Sequence, residues 1–208
     1  MATIDTSLRP FEPGTTGWSA SDLDDREIER QWFKGRFEII DGVLTSMAPA
    51  YFTAGQALFK IAVLCQQNLD ARGIKGTFAM EAEIVIDESR VLRADAALML
   101  TVDKRRQSKA AKGQQRDPDR TRLLVPPTLI IESVSPGHER HDRVTKLRWY
   151  AEFGVPNYWI VDAFEKRLNC FVLDETAYRQ DAAGKGLQKV TPSVFPGLVI
   201  PLERIFGD

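Results

Sequence analysis

One segment limits the folds open to this chain more than any other: PTLIIESVSPGHERHDRVTKLRWYAEFGVPNYWIVD, residues 127–162. Leu129, Ile130 and Ile131 have the character of a core strand, and the run ends on Glu132. A buried ionised carboxylate is costly without a partner. A metal ion would supply one, and a plain surface position would remove the need. A turn follows at Ser135-Pro136-Gly137, then a segment with helical character over 142–153 that stops at Gly154. NYWIVDAFEKRLNCFVLDETAYRQ then reads as two strands joined at 162–166, rich in aromatic and β-branched residues.

The rest of the chain supplies the partners such a strand needs. Residues 1–20 read as a flexible arm punctuated by Pro10, Pro13 and Gly14, and 21–208 as a single domain. A short helix opens at Ser21, taken as its cap. RFEIIDGVLTSMAP predicts an N-terminal β-hairpin turning at Asp41-Gly42. The apolar stripe through Ala54, Ala57, Leu58, Ile61, Ala62, Leu64, Cys65 and Leu69 predicts a helix over 53–71. Partial alternation predicts a strand through Ile86, a turn at 87–89 and a second strand from Leu92 to Leu100. Residues 103–122 carry hardly any apolar side chains and concentrate positive charge, including Lys104, Arg105, Arg106, Lys109 and Lys112. They read as a long basic loop, either solvated or functional. The tail wraps back through Phe195, Leu198, Ile200, Leu202, Ile205 and Phe206. Helix, hairpin, helix, strands, helix, strands is the order of an α/β domain bordering on α+β.

The 208 residues allow one sizeable core, and a formal net charge of −1 points to neither nucleic acid nor a membrane surface. No apolar run is long enough to span a bilayer. Cys65 and Cys170 lie far apart in apolar surroundings and read as buried free thiols, which suit a cytoplasmic location.

The acidic residues carry the chemistry. Asp95 precedes the apolar run AALML, Glu132 ends LII, and Glu81 and Glu83 lie on the strand before Asp95. If the strands of Asp95 and Glu132 are neighbours, two carboxylates, a main-chain carbonyl and waters make a hard-cation site. Lys146 lies one helical turn after Asp142 and one before Tyr150. Taken alone, each of these residues is an ordinary surface charge or strand end. His138 and His141 lie three apart beside Glu139 and Asp142 and could hold zinc, but the set is short of a usual structural site.

RFEIIDG, VLRADAALM, IIESVSP, HDRVTKLRWYAEFGVPNYWIVD and TPSVFPGLVIPLERIF together resemble the Uma2 family, restriction-endonuclease-like proteins with a PD-(D/E)xK nuclease core. The resemblance implies a four- or five-stranded mixed β-sheet flanked by helices and a homodimer. It implies that Asp95 and Glu132 bind Mg²⁺, or Mn²⁺, with the Ser133 main-chain carbonyl, and that Lys146 is catalytic. Asp142, Tyr150, Glu38 and either Glu81 or Glu83 take supporting roles. The family's usual Pro-Asp is Ala94-Asp95 here, and the wider superfamily's lysine position is Val134, so Lys146 stands in from the helix. The implied activity is endonucleolytic hydrolysis of DNA, with the basic segment as a backbone clamp. The rival is a catalytically silent interaction module on the same fold.

Overall fold

The computed structural model describes residues 9–48, 51–114, 122–134 and 141–207, with the side chains of 141–143 outside the description. Its elements in chain order are a 3₁₀ turn (Ala20–Asp24), α1 (Arg26–Trp32), β1 (Phe37–Ile40), β2 (Val43–Ser46), α2 (Phe52–Ala71), β3 (Gly76–Asp87), β4 (Arg90–Leu100), α3 (Thr101–Gly113) and β5 (Leu129–Ser133). A π-helical turn (His141–Lys146), α4 (Leu147–Phe153), β6 (Asn157–Asp162), β7 (Arg167–Asp174), β8 (Ala177–Lys185), β9 (Lys189–Val190), β10 (Ile200–Pro201) and α5 (Leu202–Phe206) complete it. Together they make a mixed sheet flanked by helices with an N-terminal hairpin, the expected fold class, but the sheet has eight strands among the described residues where the resemblance implies four or five. No helix among the described residues is long and apolar enough to cross a membrane.

The chain divides into two compact units, residues 1–49 with 83–93, and residues 50–82 with 94–208. In the first, β1 and β2 pair antiparallel with Ile40 opposite Val43. The turn between them has positive φ at Asp41 (48°) and Gly42 (77°), the two-residue geometry whose twist matches a hairpin. Ile39 pairs with Val91 at the start of β4. Trp18, Leu23, Ile28, Trp32, Ile39 and Leu44 form this unit's core. Of the expected arm, residues 9–20 are described, and they pack: Thr16 bridges to Val43, and the Trp18 main-chain N–H donates to the Gly42 carbonyl at 2.9 Å. The first cap is Ser19, which exchanges hydrogen bonds with Asp22, and Asp25 caps α1. Ser21, the cap expected from the sequence, lies inside the 3₁₀ turn.

In the second unit the strand order is β4-β5-β6-β7-β8. β4 and β5 are antiparallel, β5 and β6 parallel, and β6 to β8 antiparallel. One face is a core of Ala96, Leu98, Leu129, Ile131, Trp159, Val161, Leu168 and Cys170 against α2 and the tail from Val190 to Ile205. Strand alternation therefore turns Asp95, Glu132, Ile160 and Asn169 to the opposite face. α4 lies on that face, where the Tyr150 and Tyr158 rings approach to 5.3 Å between centroids. Gly154, at φ 85°, ends α4 in the left-handed conformation a glycine adopts without strain.

The basic loop expected over 103–122 is instead helical as far as Gly113. Ala, Lys, Arg and Gln are good helix formers, and Asp103, Gln107 and Ala111 recur every fourth residue as its buried stripe. Polar anchors replace the apolar ones. The Asp103 carboxylate accepts from the Leu100 N–H at 3.0 Å, and the Gln107 amide pairs with the Arg122 carbonyl and the Leu124 N–H, each at 2.8 Å. Residues 115–121 lie outside the description.

Cys65 and Cys170 are free and buried in the second core. Burial raises both thiols above their ordinary range. Neutral thiols are poor nucleophiles, so alkylation at pH 8 is expected only on unfolding. The folded state also holds these protons more tightly. Stability is therefore complete below the ordinary thiol pKa of about 8.5 and declines as the pH rises above it. Iodoacetamide labelling against denaturant checks the first expectation, and urea melts at rising pH the second.

Candidate active site

Asp95 and Glu132 sit on neighbouring strands. The register pairs Ala96 with Ile131 and Ala97 with Ile130, and its next step places Asp95 across from Glu132. Facing residues of an antiparallel pair share a face. The Asp95 Oδ2 accepts from the Ser133 N–H at 2.7 Å and the Ser133 hydroxyl at 2.6 Å. The Asp95 N–H in turn lies 3.4 Å from the Glu132 Oε2. The two carboxylates thus hold each other's strands in place.

Glu132 is 2% exposed and Lys146 is 3% exposed. The Lys146 Nζ lies 3.2 Å from the Glu132 Oε1, and the Tyr150 hydroxyl donates to the same oxygen at 2.8 Å. Lys146 ends the π-helical turn and Tyr150 lies one turn on in α4. Residues four apart stack on one helical face, so both reach one carboxylate oxygen. A π-helical turn is uncommon and recurs where a helix must place a particular side chain. Within the fold, a buried lysine and a buried tyrosine compensate the carboxylate that the sequence leaves exposed to question.

The other expected members have partners of their own. Glu83 accepts from the Trp32 indole at 2.6 Å and pairs with Arg93 at 2.8 Å, within the first unit. Buried Glu38 accepts from the Arg93 N–H at 3.0 Å in the same unit. Glu81 is exposed on β3 with φ 53°, a left-handed residue that breaks the strand's alternation. Among the described residues no three or more His, Cys, Asp and Glu side chains gather as a metal cluster. The zinc reading falls on His138 and Glu139, outside the described residues, and on His141 and Asp142, whose side chains are not described.

Lys104, Arg105, Arg106, Lys109 and Lys112 lie on α3, and the Lys104 ammonium donates to the Thr77 hydroxyl at 2.6 Å. α3 starts where β4 ends, five residues beyond Asp95 and so about 17 Å along the strand.

The Uma2 family model, described as "Putative restriction endonuclease", matches residues 27–203. The crystal structure of a "putative nuclease belonging to DUF820" from Anabaena variabilis is similar in fold, with a TM-score of 0.63 at 12% identity over 83% of this chain and 90% of that one. No curated protein matches. With its family match running through both strand-end carboxylates and the helix that answers them, the chain belongs to the Uma2 family.

Proposed function

We propose that the chain is a metal-dependent endonuclease that hydrolyses DNA phosphodiester bonds. The observation that carries this reading is the facing pair Asp95 and Glu132 with the Lys146 ammonium on the Glu132 Oε1. The donor set fits Mg²⁺ or Mn²⁺, because a small hard cation needs only one or two carboxylates and keeps its waters. Asp95, Glu132 and the Ser133 main-chain carbonyl would hold it. When bound, such a cation polarises a phosphoryl oxygen and lowers the pKa of a bound water.

The chain's own residues do the rest. Asp95, fixed by two Ser133 donors, presents a carboxylate of set orientation. Lys146 supplies a fixed positive charge beside Glu132, placed to orient a water and to steady negative charge developing on phosphate. Tyr150 holds the Glu132 Oε1 in position. A plasmid nicking assay with Mg²⁺ and with Mn²⁺, run beside Asp95→Ala, tests the proposal. Absence of metal-dependent cleavage by the wild type of both the plasmid and single-stranded DNA would overturn it.

The cations of α3 supply sequence-independent phosphate contacts in this reading. Changing Lys104, Arg105, Lys109 and Lys112 together to glutamine is expected to weaken DNA binding. It should flatten the salt dependence by a slope of about 0.9 for each phosphate no longer neutralised. An unchanged slope, measured by anisotropy at several salt concentrations, would assign these residues to solvation. A homodimer, implied by the family resemblance, and a cytoplasmic location, where the two free thiols stay reduced, go with the reading.

A second reading has its own observation. Glu132 is already compensated by Lys146 and Tyr150 without a cation, as a catalytically silent interaction module would require. Calorimetric titration of Mg²⁺ separates the two: binding that vanishes in Asp95→Ala favours the nuclease, and no binding favours the silent module.

A further inference from the structure

The face of the sheet that carries Asp95 and Glu132 continues beyond them. The register places Ile160 beside Glu132 and Asn169 beside Ile160. Asp95, Glu132, Ile160 and Asn169 therefore form one row across four strands. At the usual strand spacing Asn169 stands about 10 Å from Glu132. A cleft of ≈ 480 Å³ opens there, lined by Ile160, Glu165, Arg167, Asn169 and Phe171.

Three features of the cleft point to a ligand. Asn169 is 7% exposed, yet its side-chain amide makes no hydrogen bond to any described residue. The amide atoms are not among the buried polar atoms left unsatisfied; they open onto the cleft, where a ligand can hydrogen-bond to them. Arg167 and Phe171 flank it at alternate positions of β7 and face the same way. Arg167 makes no ion pair among the described residues, whereas the neighbouring acid, Glu165, is held by Lys185. The cleft thus offers a guanidinium, an amide and an aromatic ring within one strand's length.

We propose that this cleft binds one unpaired nucleotide of the substrate strand, a few nucleotides from the bond that Asp95 and Glu132 address. A guanidinium fits a phosphate as a planar fork, an asparagine amide fits a base edge, and an aromatic ring offers a sequence-tolerant stacking surface. The cleft volume is in the range of small-ligand sites, about 300–1,000 Å³. A base cannot enter while stacked in a duplex. The preferred substrate is accordingly single-stranded or locally open DNA. The nucleotide site deepens the nuclease reading and rests on it for the identity of the ligand.

The test separates binding from cleavage. A short fluorescein-labelled single-stranded oligodeoxynucleotide is titrated with the full chain in EDTA, where no metal-dependent cleavage occurs, and anisotropy is read. Asn169→Ala, Phe171→Leu and Arg167→Gln are each expected to raise Kd about tenfold. Only Arg167→Gln should also lower the salt slope, by about one phosphate's share. With Mg²⁺ the same variants should raise KM and leave kcat unchanged. A duplex of the same sequence should bind more weakly. Arg167 is only partly buried, so its variant stays informative should Asn169→Ala fold poorly. The proposal is overturned if the wild type does not bind the single strand, if all folded variants bind it as the wild type does, or if the duplex binds equally well. Loss of binding in the variants of a protein that never cleaves would overturn the nuclease reading and leave the cleft standing.

Discussion

Lys146→Ala is expected to lower the proposed cleavage by ~10²-fold or more and to destabilise the fold by about 3–5 kcal/mol. Both effects follow from one contact, the buried pair of Lys146 Nζ and Glu132 Oε1 at 3.2 Å. Removing the ammonium leaves a carboxylate that is 2% exposed with its charge uncompensated. The Tyr150 hydroxyl still donates to it, which draws the stability loss toward the lower figure. Metal affinity should change little, because lysine is not a ligand. The stability and rate effects can be pulled apart by combining Lys146→Met with Glu132→Gln. A neutral pair removes the buried charge altogether, so most of the stability returns and none of the activity does. Lys146→Arg should rescue little, because a planar guanidinium does not occupy the space of a compact ammonium. Denaturant melts, calorimetric metal titration and single-turnover rates on one set of variants check all of this. Wild-type cleavage by Lys146→Ala would reduce the residue to a structural ion pair.

That this pair is legible in the sequence, and its surroundings much less so, has physical causes. A strand of Leu129, Ile130 and Ile131 ending on a carboxylate is a local signal, since burying that charge requires an answer nearby. The i, i+4 spacing of Lys146 and Tyr150 is local too. The fold class is readable because hairpin turn, apolar stripe and strand alternation are all short-range patterns. Residues 101–113 cannot be read this way. Their helix docks through Asp103 and Gln107, whose hydrogen bonds run to Leu100, Arg122 and Leu124, and a hydrophobicity pattern does not register such anchors. In the sequence Glu83 reads only as an acidic residue on the strand before Asp95. Its partners Trp32 and Arg93 become visible only once the strands pair. The Asn169 row is hidden for the same reason, since β6 and β7 meet Glu132 through a register no single segment contains. β8 carries alternating polar residues over 177–185 and leaves no apolar signature of a strand beyond its first residues.

Asp95→Asn provides the sharpest separation of fold from chemistry. The Asp95 Oδ2 accepts from both the Ser133 N–H and the Ser133 hydroxyl, and an asparagine oxygen can accept the same two bonds. Asp95→Asn should therefore melt close to the wild type, whereas Asp95→Ala leaves the Ser133 N–H without its acceptor and costs about 1–3 kcal/mol. Both variants lose the negative charge that a hard cation needs, so both should lose Mg²⁺ binding and at least ~10²-fold in cleavage. Ser133→Ala keeps the N–H donor and the main-chain carbonyl and loses only the hydroxyl bond, so it should retain most activity. The informative comparison is thus between two variants of equal chemistry and unequal stability. If Asp95→Asn cleaves like the wild type, the facing carboxylates are a strand clasp, and the silent-module reading takes their place. If Asp95→Asn and Asp95→Ala fall together in rate while differing in melting temperature, the charge of Asp95 serves the chemistry and its hydrogen bonds serve the fold.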